Sequence, residues 1–214
     1  MSMRWESLRF EQYGIYQDEV LGRFTEDPVH LVHFLRARPN ERALDLGTGN
    51  GIIPLYANAL YGCPFAGLDV DGEQLRLGRL SAERNGQSIP FYELDVSEAP
   101  EALGRGGFDL VTMNPPYYPR ASAGEGPQRA RQRHGDRLHD FVASAFQLLD
   151  NGGRLCLCYR AEGLVDLFAL LRQNRLEPKR MELIQHNGKA KVVLIEAKKL
   201  ARPGMDVFVS QGQD

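Results

Sequence analysis

Four residues in the middle of the chain, Asn114-Pro115-Pro116-Tyr117, combine groups suited to one kind of nitrogen. They follow the apolar run Phe108 to Met113, which reads as a strand that the two prolines must end. The prolines stiffen the backbone and remove two N–H donors, leaving carbonyl oxygens as the available main-chain groups. The Asn114 amide oxygen and the Pro115 carbonyl can together accept both hydrogens of one planar NH2 group. A nitrogen held in this way turns pyramidal, and its lone pair is freed for in-line attack on an electrophilic methyl. Tyr117 offers a π-face to the plane that carries the amine. No strong base is needed beforehand, because the nitrogen becomes acidic once alkylated, so positioning is the main contribution. Asn114, Pro115, Pro116 and Tyr117 are therefore the candidate catalytic residues. Adenine N6, cytosine N4, guanine N2 and a glutamine side-chain amide all satisfy this chemistry, and a target base must be unpaired or flipped out.

A second motif, Leu44-Asp45-Leu46-Gly47-Thr48-Gly49-Asn50-Gly51, follows the apolar strand Arg42 to Leu46 and opens a helix. That is the context of a nucleotide cofactor, and the glycines permit close approach and positive φ. The spacing is G-x-G-x-G and not the dinucleotide pattern. A carboxylate at the strand end would oppose a pyrophosphate but suits a cation. S-adenosyl-L-methionine carries an ammonium and a sulfonium and no phosphate. Asp69 ends the next strand, where an acidic side chain can accept hydrogen bonds from ribose hydroxyls. Asp95 ends the third strand, placed to meet the adenine amine. Asp45, Gly47, Thr48, Gly49, Gly51, Asp69, Val70, Asp95, Val96 and Asn114 are the candidate cofactor residues.

The elements that must carry these motifs alternate. Strands are expected over Arg42–Leu46, Phe65–Val70, Ile89–Leu94, Phe108–Met113 and Arg154–Tyr159. Helices are expected over Glu26–Leu35 with Thr25 as N-cap, and over Ile52–Leu60, Gly72–Asn85, His139–Leu149 and Gly163–Leu171. Two final strands, Lys179–Gln185 and Lys191–Ala197, flank a turn at Asn187-Gly188. The pattern predicts an α/β fold: a doubly wound, mostly parallel sheet with an antiparallel C-terminal hairpin at one edge. Ligands in such sheets lie beyond the carboxyl ends of the strands, where both motifs fall.

Composition narrows the class. No apolar run approaches the ~20 residues that span a bilayer, and Met1 to Phe10 carries no apolar core of a signal peptide, so a cytoplasmic protein is expected. Cys63, Cys156 and Cys158 form no zinc-like pair of pairs, and Cys156 and Cys158 read as buried thiols on one strand face. His30 and His33 have no carboxylate or cysteine in ligand pattern, so no metal is expected. Residues 1–128 hold 11 basic and 18 acidic side chains, whereas residues 129–214 hold 15 and 10. That asymmetry suggests a face that meets an anion.

With both motifs placed, the chain resembles the class I methyltransferases that carry an Asn-Pro-Pro-Tyr motif. More narrowly, it resembles the bacterial family that methylates N6 of adenine 37 in valine tRNA. The likeness runs over Gly14-Ile15-Tyr16-Gln17, Arg23-Phe24-Thr25-Glu26-Asp27, Asn114-Pro115-Pro116-Tyr117-Tyr118 and Lys191-Val192-Val193-Leu194-Ile195-Glu196-Ala197-Lys198-Lys199. It implies a Rossmann-like methyltransferase domain over 41–214, with residues 1–40 as an N-terminal extension and helix packing over the cofactor site. It implies that Gln17, Phe24 and Thr25 help to close over the cofactor. It further implies an RNA partner, tRNA in particular, met by the closing hairpin and by Arg129, Arg131, Arg133, His134 and Arg137. Release-factor glutamine methylation, ribosomal RNA guanine N2 methylation and a non-catalytic RNA adaptor stay open as alternatives.

Overall fold

The computed structural model describes residues 3–8, 12–18, 26–115 and 138–211. The expectations for Phe24, Thr25, Pro116, Tyr117, Arg129, Arg131, Arg133, His134 and Arg137 lie outside the described residues.

An antiparallel pair opens the described chain: β1 (Met3–Ser7) and β2 (Gly14–Asp18). Helix α1 (Asp27–Phe34) follows, with Glu26 at the N-cap and Pro28 in its first turn, so the expected start is displaced from Thr25. Next come β3 (Ala43–Leu46), α2 (Ile52–Tyr61), β4 (Phe65–Asp69), α3 (Gly72–Arg84), β5 (Phe91–Glu93), the short α4 (Ala99–Ala102) and β6 (Phe108–Met113). After residue 137 the chain forms α5 (Leu138–Leu148), β7 (Leu149–Arg160), a 3-10 turn over Ala161–Gly163, and α6 (Leu164–Gln173). It closes with β8 (Leu176–His186), β9 (Lys189–Lys199) and β10 (Asp206–Gln211).

Eight of these strands form one sheet in the order β10-β8-β9-β7-β6-β3-β4-β5. Strands β7, β6, β3, β4 and β5 run parallel, while β9 is antiparallel to both β7 and β8. Every residue of β3 and β4 is buried, as parallel strands covered on both faces require. One core cluster packs Leu31, Val32, Ile52, Leu55 and Leu75 of α1, α2 and α3 against one face. A second packs Ala99, Phe141, Val142, Leu148, Leu167 and Leu171 of α4, α5 and α6 against the other. The sheet is thus doubly wound, as expected.

Two differences from the sequence reading have local causes. The closing hairpin is not the edge of the sheet: β9 docks on β7, and β10 pairs in parallel outside β8. Its turn is as expected, with positive φ at Asn187 (52°) and Gly188 (74°), the geometry of a two-residue hairpin loop. The third strand contracts to Phe91–Glu93, because Pro90 has no N–H and only its carbonyl takes part, accepting from Gly67 N at 2.9 Å. Both thiols of β7, Cys156 and Cys158, are fully buried.

The N-terminal pair lies along α3, and side chains of the helix supply its partners. Asn85 exchanges two hydrogen bonds with Gly14 (3.0 and 2.7 Å), and the Tyr16 N–H donates to Ser81 Oγ (2.9 Å). Arg84 stacks over Trp5 at 4.1 Å and donates to the Tyr16 hydroxyl. A cross-brace ties the far side of the sheet. Arg154 bonds Glu41 and Glu196, while Arg180 bonds Glu196 and the Phe34 carbonyl. No helix of the described residues is long and apolar enough to cross a membrane.

Candidate active site

Pairing of β3 with β6 brings the two motifs together. The register sets Asp45 beside Thr112 and Leu46 beside Met113, so the next residues on each strand are Gly47 and Asn114. The cofactor turn and the Asn114-Pro115 corner therefore leave the sheet side by side. This is also where the strand order reverses, with β4 and β5 on one side of β3 and β6 on the other. Asn114 is half-buried and Pro115 is buried.

Asp45 is 1% exposed. Thr112 Oγ1 donates to its Oδ1 at 2.6 Å. Burial pushes the Asp45 carboxyl up to about 7; the Thr112 hydroxyl opposes that rise and the nearby Asp69 charge adds to it. The group is poised to ionise when a cation arrives.

The turn after β3 depends on its glycines in two ways. Gly47, Gly49 and Gly51 all take positive φ (68°, 55° and 80°). A Cβ on Gly51 would lie 2.7 Å from the Phe91 ring, so absence of a side chain lets the start of α2 close against that ring. A Cβ on Gly49 would meet nothing within 4 Å, so that glycine faces open space. The Thr48 hydroxyl is buried beside the Asp45 carboxyl and, like that of Thr112, opposes its rise.

Asp69 joins the turns after β3 and β4. Its Oδ2 accepts from the Gly49 N–H (2.9 Å) and its Oδ1 from the Asp71 N–H (3.0 Å). Each oxygen keeps a second lone pair for a ligand hydroxyl. A cavity beside it is lined by Gly47, Leu68, Asp69, Val70, Leu94, Val96 and Phe141. Val70 remains exposed, whereas Val96 is buried. Asp95 lies past the end of β5, and its Oδ1 accepts from the Ser97 N–H and hydroxyl (2.9 and 2.6 Å). Gln17 is buried in β2 and donates to Glu6 at 2.5 Å.

The site has contributors that sequence reasoning did not name. Thr112 emerges only from strand register, and Leu68 and Leu94 read as ordinary strand residues. Phe141 reaches Gly47 from α5, where a Cβ on that glycine would come within 3.1 Å of its ring. Helical periodicity marks Phe141 as apolar, but only the tertiary fold says what it covers.

These groups fit S-adenosyl-L-methionine on their own chemistry. Among the described residues the sole charged group lining the cavity is the Asp69 carboxylate. Apolar walls for a flat base, an acidic acceptor for ribose hydroxyls and a second carboxylate for an ammonium suit a cationic adenosyl compound. The same groups would repel a pyrophosphate.

Fold and site together define a Rossmann-like class I methyltransferase. Residues 26–164 match the methyltransferase small domain family. The chain belongs to that family, and its cofactor is S-adenosyl-L-methionine. It is 34% identical over 143 residues to a release factor glutamine methyltransferase of Chlorobaculum tepidum, across 60% of this chain and 48% of that protein. It is 25% identical over 214 residues to a tRNA1(Val) (adenine(37)-N6)-methyltransferase of Trichodesmium erythraeum, across 94% of this chain and 87% of that protein. Among solved structures it resembles the Thermus thermophilus 16S rRNA N2 G1207 methyltransferase in complex with AdoMet and guanosine. There the TM-score is 0.67 at 18% identity, over 92% of this chain and 50% of that one. The chain thus spans about half the length of the glutamine methyltransferase it matches and most of the tRNA enzyme.

Proposed function

We propose that the protein methylates the N6 amine of an adenine in tRNA, with position 37 of valine tRNA as the expected target. The observation that carries this reading is the β3–β6 register, which sets Asn114 beside Gly47 at the mouth of the cofactor turn. Asp45, the glycine turn, Asp69, Val70 and Val96 would hold the cofactor, which supplies an electrophilic methyl group. Asn114 Oδ1 and the Pro115 carbonyl would accept the two amine hydrogens and aim the nitrogen lone pair. Tyr117 would stack on the base. The proton released after transfer leaves an acidified nitrogen and needs no dedicated base.

Adenine is preferred over a glutamine amide because the likeness to the tRNA enzymes extends beyond the shared domain, over 94% of this chain against 60%. The higher identity to the glutamine methyltransferase keeps that substrate as the second reading. The basic balance of residues 129–214, with 15 basic and 10 acidic side chains, supports a polyanionic partner.

The test offers labelled methyl donor with bulk tRNA, ribosomal RNA and release factor, followed by nucleoside and amino-acid analysis. Label in N6-methyladenosine from tRNA is expected. Label confined to methylglutamine would replace this proposal with the second reading. Asn114→Ala should lower turnover at least ~100-fold while tRNA binding stays within about threefold, because positioning of the amine is lost.

A further inference from the structure

Asn50 stands between the two left-handed glycines of the cofactor turn, Gly49 and Gly51, yet its side chain serves another element. It is 7% exposed, and its Nδ2 donates to the Tyr16 carbonyl of β2 at 3.2 Å. The backbone on either side of Asn50 is fixed. The Gly51 N–H closes onto Thr48 O at 3.0 Å, the Gly49 N–H is held by Asp69, and Asn50 O packs where a Cβ on Gly78 would come within 3.2 Å. An amide fixed at its root in this way makes a rigid strut.

Other anchors of the β1–β2 pair behave differently. Ser81 and Arg84 of α3, and the C-cap residue Asn85 that follows it, bind Gly14 or Tyr16. They hold the pair on the helix but touch no part of the cofactor turn. Asn50 thus connects the turn to the Tyr16–Gln17 peptide. Gln17 leads from that peptide to Glu6 on β1. A part-buried amide–carbonyl bond joins segments 34 residues apart, so the order of the turn and the order of the hairpin are linked thermodynamically.

We propose that Asn50 is a positioning residue that couples occupancy of the cofactor turn to seating of the β1–β2 hairpin, resting on the assignment of residues 47–51 to cofactor binding. Ligand that further suppresses opening of the turn also suppresses opening of the hairpin through this strut. A seated hairpin in turn lowers the ordering cost of binding. The side chain acts through Tyr16 O and not on the reacting atoms.

Hydrogen exchange on the full chain, with and without S-adenosylhomocysteine, tests this coupling. In the native protein the ligand should slow exchange in both 47–51 and 14–18. In Asn50→Ala, and in the isosteric Asn50→Asp that loses the donor but keeps the volume, saturating ligand should still protect 47–51. Protection of 14–18 should fall at least about fivefold. KM for the methyl donor should rise about tenfold, as for one lost buried hydrogen bond, with kcat within twofold. A merely structural role would lower the melting temperature without separating the two protection patterns. Equal hairpin protection in native and variant proteins would overturn the proposal alone. No protection of 47–51 in the native protein would overturn the cofactor assignment and the proposal with it.

Discussion

Asp45 shows how one residue carries opposing demands of fold and chemistry. Its carboxyl is 1% exposed, and burial raises it to about 7 from the usual 3.8. The folded state therefore favours the protonated form. Its contribution to stability is complete below about pH 4 and is lost as pH rises through 7, a loss of roughly 4 kcal/mol at higher pH. Asp45→Asn keeps an oxygen for the Thr112 hydroxyl and removes the ionisation. The variant should melt several degrees above the native protein at pH 8 when ligand-free, with the gain fading toward pH 5. Cofactor affinity should fall at least tenfold, and its rise between pH 6 and 8 should flatten. Differential scanning fluorimetry and calorimetric titration across that range check both parts. An unchanged pH profile in the variant would separate Asp45 from the cofactor.

At the scale of elements, the two glycines of one turn make opposite predictions. Gly51→Ala meets both a left-handed φ of 80° and the Phe91 ring at 2.7 Å, so it should destabilise the fold by about 2–4 kcal/mol. Gly49→Ala meets only the φ of 55°, so it should cost about 1 kcal/mol of stability yet impair cofactor binding more, because its methyl enters the open cradle. Denaturant unfolding beside ligand titration separates the two effects. The elements themselves were legible where pattern and partner are local. The strand–glycine turn–helix unit at Asp45, the strand ending at Asn114-Pro115 and the Asn187-Gly188 hairpin all follow from alternation and turn chemistry. Strands β1, β2 and β10 were not. Each has five or six residues; β2 is specified by the distant Ser81 of α3 and its C-cap Asn85, β10 by a parallel ladder on β8, and β1 by pairing with β2. The extent of the candidate site had the same limit. Asp45, Gly47 and Asp69 announce themselves by type and spacing, whereas Thr112, Phe141 and Asn50 matter only through what register and packing bring beside them.

Across the whole molecule, the sheet separates a chemically active edge from an inert body. Cys63, Cys156 and Cys158 are buried thiols, and burial pushes Cys63 up to about 11 and Cys156 up to about 12. Buried as they are, all three should resist a disulfide reagent in the native protein at pH 8 and react together on unfolding. Rapid reaction of one thiol before unfolding would show an opening of the core. The active edge is where β3 and β6 emerge together, and the functional account depends on their meeting. A crystal structure with S-adenosylhomocysteine and adenosine tests it directly. The account predicts the ligand sulfur above the Gly47–Gly51 turn and the adenosine N6 within ~3.2 Å of Asn114 Oδ1. An adenosyl group bound elsewhere, or an Asn114 side chain turned away from the sulfur, would contradict it.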